Sequence, residues 1–229
     1  MVFTTDSGQL KKRLVQSILM LERAEIIDFN GHCSVRIPGT EQILINSGPS
    51  TRNDLSAEDI VTMDVNGTKL EGREAPPMEY HIHTEIYKRR PDVQAVIHAH
   101  PRWSTFFSMT GTPLRPVFPQ AALLGEIPTF DRIDSINTPE LGGRLAEVLG
   151  GSRIALLKSH GSVITGSTLE EAFALCIYLE ENAKRQYRAQ AMGKPYELND
   201  QEIEACARHL GKPALYRKVW EYYEVKIRH

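Results

Sequence analysis

Arg90-Pro91-Asp92-Val93-Gln94-Ala95-Val96-Ile97-His98-Ala99-His100 is the stretch on which the fold and the chemistry of this chain turn. Pro91 ends any helix that reaches it. Val93–His98 is short, apolar and β-branched at Val93, Val96 and Ile97, which predicts a buried strand. Side chains two apart on a strand share a face, so His98 and His100 project to one side of the strand's end. Imidazole is a common metal ligand, although a lone H-x-H pair is more often two hydrogen-bonded histidines than a site.

The flanking sequence changes that weighting. Upstream, residues 78–90 predict a helix that opens next to Pro77 and carries Glu79 at its start, with His83 one turn later on the same face. Downstream, residues 139–149 predict a helix closed by Gly150-Gly151. Ile154–Leu157 then predicts a second buried strand, with His160 and Gly161 just beyond it. Three imidazoles brought together without a metal would displace apolar packing for no gain. With one, His98, His100 and His160 leave an open position of the kind a catalytic ion needs. Glu79 can ligate the ion or act as a base.

The remaining sequence supplies the frame. Leu10, Leu14, Ile18, Leu21 and Ile26 recur at helical spacing, predicting an opening helix over 7–28 stopped by Gly31. Ser34–Ile37 and Gln42–Asn46 predict strands joined at Pro38-Gly39, and Val61–Asp64 and Thr68–Leu70 flank Asn66-Gly67, a two-residue hairpin signal. Trp103, Phe106 and Phe107 sit at helical spacing that suits core packing. Ser167 with Glu170 predicts a capping box opening a helix to about Met192, and helices over 199–209 and 213–225 follow. No repeat or linker divides the chain, so 1–229 is expected to be a single domain with a sheet between helical layers.

Composition excludes several classes of function. The chain has 229 residues, with 27 Lys+Arg against 29 Asp+Glu, a balance that provides no footprint for nucleic acid or an acidic membrane. No apolar run approaches the roughly 18 residues of a membrane span, and MVFTTDSGQLKKRL lacks a signal core. Cys33, Cys176 and Cys206 are an odd, dispersed set that reads as free thiols of a cytoplasmic protein.

These anchors together resemble the class II aldolase/adducin family. Gly31-His32-Cys33-Ser34-Val35-Arg36 is similar to its G-N/H-x-S-x-R, and Ile45-Asn46-Ser47-Gly48 to its apolar-T-P-x-G loop. Glu79 with Tyr80-His81-Ile82-His83, Arg90-Pro91-Asp92-Val93 leading to His98-Ala99-His100, and Ser159-His160-Gly161 complete the order. The resemblance implies a three-layer α/β/α sandwich with a mixed central sheet. It also implies a homotetramer with sites at subunit contacts, and a divalent metal on His98, His100 and His160. By the same resemblance Glu79 shuttles a proton. Zinc is the first expectation for the metal, with manganese, cobalt and iron as alternatives.

Two departures from the family pattern shape the functional expectation. Sugar-phosphate members place small hydroxyl residues before the Glu. Here Pro77 and Met78 stand there, and neither side chain donates a hydrogen bond. Many aldolases of the family also carry Asn where this chain has His32. Second, no tyrosine lies between Tyr87 and Tyr178 to protonate a leaving alkoxide, and carbon dioxide as a leaving group needs no proton. The expectation is therefore a metal-dependent lyase working through a stabilised enolate on a small, non-phosphorylated molecule, first by decarboxylation of a hydroxyaromatic or heteroaromatic acid. Aldol cleavage is the alternative; a non-catalytic adducin-like module and a sugar-phosphate epimerase, which would need the phosphate pocket that Pro77 and Met78 remove, are the others. Expected substrate-binding residues are His32, Ser47, Gly48, Ser50, His83 and Arg102.

Overall fold

A computed structural model describes residues 6–228; the signal-core reading of the N-terminus falls partly on residues outside that range. Eight strands form one mixed sheet in the order β4-β3-β2-β1-β5-β8-β7-β6. They are β1 (His32–Arg36), β2 (Gln42–Asn46), β3 (Ile60–Asp64), β4 (Lys69–Glu71), β5 (Ala95–Ala99), β6 (Thr129–Phe130), β7 (Ile154–Leu157) and β8 (Gly161–Gly166). All neighbours are antiparallel except the β6–β7 pair.

The helices are α1 (Ser7–Arg23), α2 (Tyr80–Arg89), α3 (Arg102–Thr110), α4 (Pro139–Leu149), α5 (Leu169–Met192), α6 (Asp200–Leu210) and α7 (Pro213–Lys226). Strand alternation divides the core in two. Cys33, Val35, Leu44, Ile97 and Ile164 face α1, α5 and α7. Ile43, Ile45, Val61, Val96 and Val163 face α2 and α4. Both faces of the sheet are thus covered, which gives the expected α/β/α sandwich. Among the described residues no helix is long and apolar enough to cross a membrane, and all three cysteines are free.

Four local expectations need correction. Helix α1 ends at Arg23, with Ala24 as its C-cap, rather than running to residue 28. Gly31 therefore stops no helix; it sits at φ 93° at the entrance to β1. The Asn66-Gly67 turn holds three residues between paired Asp64 and Thr68, with Gly67 at φ 94°. The Asp64 carboxylate accepts from the Asn66 and Thr68 N–H groups and so favours this longer loop. Helix α5 is capped by Thr168, whose hydroxyl accepts from the Glu171 N–H. Ser167 instead donates its N–H and hydroxyl to the Glu171 carboxylate, and Glu170 pairs with Arg13 at 2.6 Å.

Two elements carried no clear sequence signal. Strand β8 begins at the glycine of His160-Gly161 and forms a tight hairpin with β7, with Ser159 at φ 53° in the turn. Helix α3 starts directly after His100. Its N-cap is Pro101, which offers no side-chain acceptor, so Glu180 of α5 accepts from the Trp103 and Ser104 N–H groups at 2.6 and 2.9 Å. A buried carboxylate is well placed at a helix N-terminus.

Candidate metal centre

Three strand ends and one helix start meet at a single point. His98 is the penultimate residue of β5, His100 follows the strand, His160 occupies the β7–β8 turn, and Glu79 is the N-cap of α2. Their ring centroids are 4.8 Å apart for His98 and His100, 5.1 Å for His98 and His160, and 5.0 Å for His100 and His160. One donor atom from each of Glu79, His98, His100 and His160 can be chosen so that all lie within 4.8 Å of one another. The approaches include 3.1 Å between Nε2 of His98 and of His100, 3.5 Å from Glu79 Oε2 to His98 Nε2, and 3.9 Å to His160 Nε2. A tetrahedral ion at about 2.0–2.1 Å from each nitrogen would set ligand atoms roughly 3.3 Å apart.

The protonation pattern fits a cation. His98 Nδ1 lies 3.0 Å from the Ser162 carbonyl, an acceptor only, so this nitrogen carries the proton and Nε2 is bare. Burial lowers the pKa of His98 to about 4 despite the opposing pull of Glu79. Burial, with His98 beside it, does the same to His100, also to about 4. Both rings are therefore neutral at pH 7, and the bare His98 Nε2 faces His100 and the Glu79 carboxylate. Burial would raise the pKa of Glu79, but the neighbouring His32 and His98 rings and the hydrogen bond from the Ile136 N–H outweigh it and hold the group below the usual carboxylate range. Clustered lone pairs around an ionised carboxylate repel unless a cation lies among them. This donor set suits a divalent ion.

Glu79 makes no capping bond within its own helix. Its Oε1 accepts from Ser135 Oγ at 3.0 Å and from the Ile136 N–H at 2.8 Å. Ser135 and Ile136 lie in an unpatterned loop, and nothing in the sequence marked them.

Beside this group lies a second histidine cluster. His32 pairs with His98 across the β1–β5 ladder, and its Nε2 is 3.8 Å from Glu79 Oε2. Its Nδ1 is 2.6 Å from His83 Nε2. His83 is fully buried, and its Nδ1 meets Ser34 Oγ at 2.6 Å. Both His83 nitrogens are thus engaged inside the protein, by His32 and Ser34. Ser34 in turn meets the Tyr87 hydroxyl at 2.9 Å.

The other expected substrate residues are placed less directly. The Gly48 N–H donates to the Ala75 carbonyl at 2.9 Å, and Ser50 Oγ donates to the Ser47 carbonyl at 2.9 Å. Ser47 Oγ is buried without a partner. Arg52, which the sequence did not mark, is buried beneath this loop, donating to the carbonyls of Gly31, Ser47 and Ser50. Arg102 is exposed at the start of α3 and lines a separate cleft with Glu25 and Glu180. Phe107 belongs to the interior, whereas half-buried Trp103 and exposed Phe106 pack against Tyr187.

Residues 12–187 match the Class II Aldolase and Adducin N-terminal domain, and the chain belongs to that family. It is 31% identical over 175 residues to the 5-methylthioribulose-1-phosphate/5-deoxyribulose-1-phosphate aldolase of Rhodospirillum rubrum, covering 76% of this chain and 78% of that protein. It is 29% identical over 163 residues to the 3,4-dihydroxyphthalate decarboxylase of Arthrobacter keyseri, covering 66% of each. Among solved structures, the L-fuculose 1-phosphate aldolase from Glaciozyma antarctica PI12 superposes with a TM-score of 0.87 at 25% identity, over 100% of this chain and 93% of that one. Aldolases and decarboxylases both appear among the relatives, so membership of the family does not by itself set the reaction.

Proposed function

We propose that this protein is a metal-dependent carbon–carbon lyase acting on a small non-phosphorylated acid, and that its reaction is decarboxylation of a hydroxyaromatic or heteroaromatic acid. The observation that carries the reading is the convergence of Glu79, His98, His100 and His160 on one centre. His98, His100 and His160 would hold the ion, zinc being the first candidate, with Glu79 beside it. A divalent cation there supplies Lewis acidity to the substrate's oxygens. Glu79, ionised and aimed by Ser135 and Ile136, takes the proton of the substrate hydroxyl. The carboxyl carbon leaves as carbon dioxide, its bonding electrons pass to the ring carbon, and Glu79 returns the proton to that carbon.

Decarboxylation is favoured over sugar-phosphate cleavage by the donors near Glu79. Pro77 and Met78 offer no side-chain hydrogen bond, and the Gly48 N–H and Ser50 hydroxyl are already spent within the protein. A buried phosphate would lack partners worth about 1.5–3 kcal/mol each. Ser47 and His32 remain as contacts for a smaller anion, whereas Arg102 lines a separate cleft. A homotetramer with sites at subunit contacts fits the exposure of Phe29, Met78 and Ile133, at 82%, 74% and 70%, on segments close in sequence to His32, Glu79 and Ser135. The buried free thiols of Cys33 and Cys176 suit a cytoplasmic location. Retention of all four candidate ligands argues against a non-catalytic module.

The test is a substrate panel run beside elemental analysis of the same purified sample. Carbon dioxide release from an ortho-hydroxy aromatic acid, abolished by chelation and restored by metal, is the expected result. Aldehyde release alone across the panel would move the assignment to aldol cleavage.

A further inference from the structure

Strand β1 and helix α2 zip together along a line of polar side chains. On β1, His32, Ser34 and Arg36 alternate onto the α2 side of the sheet, and on α2, Glu79, His83 and Tyr87 recur every four residues. Their contacts run in order: Glu79 with His32, His32 with His83, His83 with Ser34, and Ser34 with Tyr87. Arg36 closes the line, donating to the Tyr87 carbonyl at 2.7 Å with its guanidinium 4.8 Å above the Tyr87 ring.

Only one direction of hydrogen bonding suits this chain. Tyr87 O–H donates to Ser34 Oγ, Ser34 O–H to His83 Nδ1, and His83 Nε2–H to His32 Nδ1. His32 then carries its proton on Nε2, facing the Glu79 carboxylate. In the opposite sense a bare His32 Nε2 would confront that carboxylate, and the Tyr87 hydrogen would have to leave the chain. At 3.8 Å the His32 N–H does not close a hydrogen bond to Glu79, so this donor is available to a substrate oxygen.

We propose that Tyr87, Ser34 and His83 are positioning residues that lock His32 in its Nε2–H tautomer, making it a fixed hydrogen-bond donor to the carboxylate of the substrate. The tautomer half stands on contacts within the chain; the substrate half rests on the lyase reading above. His32 serves as a donor and not as a proton source. Refilling it through the chain would leave a charge on the Tyr87 oxygen, which burial opposes by raising that phenol's pKa.

The experiment is nitrogen NMR of the histidine rings in the zinc-loaded protein near pH 7, paired with salicylate binding as the probe of carboxylate recognition. Expected are a protonated Nε2 and a bare Nδ1 on His32, and a mixed tautomer population in Tyr87→Phe and Ser34→Ala. Salicylate binding should weaken about tenfold in Ser34→Ala and less in Tyr87→Phe, with zinc content unchanged. His32→Gln, which can place an amide N–H where Nε2–H stood, should restore most of the binding that His32→Leu loses. A bare Nε2 on His32 in the wild type, or equal salicylate affinity in His32→Leu, overturns the proposal. A correct tautomer with normal salicylate discrimination in a protein that turns over no acid overturns the lyase reading and leaves this one standing. If Ser34→Ala fails to fold, Tyr87→Phe carries the tautomer comparison.

Discussion

Two clusters of histidines adjoin one another at the ends of β1, β5 and the β7–β8 hairpin, and they have opposite needs. In the first, His98, His100 and His160 turn toward a common centre with Glu79, where the bare His98 Nε2 lies beside an ionised carboxylate. In the second, His32 and His83 pass a proton-matched contact to Ser34 and Tyr87, and only the His32 Nε2–H is left over. The donor set of the first cluster suits a cation; the second holds itself together by contacts within the chain. The same side chain makes a binding site or a brace according to whether its neighbours offer it a partner.

The largest effect that could break this contrast is in metal content. His98→Ala should lower zinc affinity by at least the roughly 10–100-fold that loss of even an outer partner costs, read as metal per chain after dialysis. Unchanged occupancy would remove the first cluster's claim to an ion. Next, Glu79→Gln should keep its metal but lose on the order of 10²–10⁴ in turnover, because an amide holds the shape and moves no proton. Wild-type rates in that variant would take Glu79 out of the reaction.

Gly161→Ala should follow. The added Cβ would strike the Ala99 carbonyl oxygen and lie 2.9 Å from His100 Cδ2, so a loss of about 1–3 kcal/mol in stability is expected by denaturant titration, with weaker metal retention. The response to pH comes next. His98 and His100 titrate near 4 in the folded protein against an ordinary 6.5. Between those values the unfolded chain binds more protons than the folded one. The melting temperature of the chelated protein should therefore hold above pH 6.5 and fall as the pH drops from 6.5 toward 4. A flat profile there would mean the rings are not buried as described. The smallest effect belongs to the brace: Tyr87→Phe removes one hydroxyl from the second cluster, should cost about 1 kcal/mol, and should leave metal content unchanged.

Much of this arrangement could be read along the chain. The apolar run ending in His98 and the matching run Ile154–Leu157 before His160 were legible as strands because burial on both faces leaves an unbroken β-branched or aliphatic signature. Helix α4 was bounded correctly by Pro139 and by Gly150-Gly151. Helix α3 was less visible. Its N-terminal acceptor is Glu180, far along the chain on α5, so no local cap marked its start. Strand β8 was hidden because Ser162 and Thr165 interrupt its apolar run, and its glycine start resembled a stop.

The sequence by itself determined the periodicities: which residues of β1 and β5 share a face, and that Glu79 and His83 align at the start of α2. Those follow from backbone geometry over a few residues and need nothing distant. The tertiary structure alone decided which histidines meet. Pairing of His32 with His98 across the β1–β5 ladder, the tight β7–β8 turn that carries His160, and the loop that delivers Ser135 and Ile136 to Glu79 each join residues far apart in sequence. Their strand registers and loop paths are set by burial of the whole sheet between two helical layers, which no local pattern encodes.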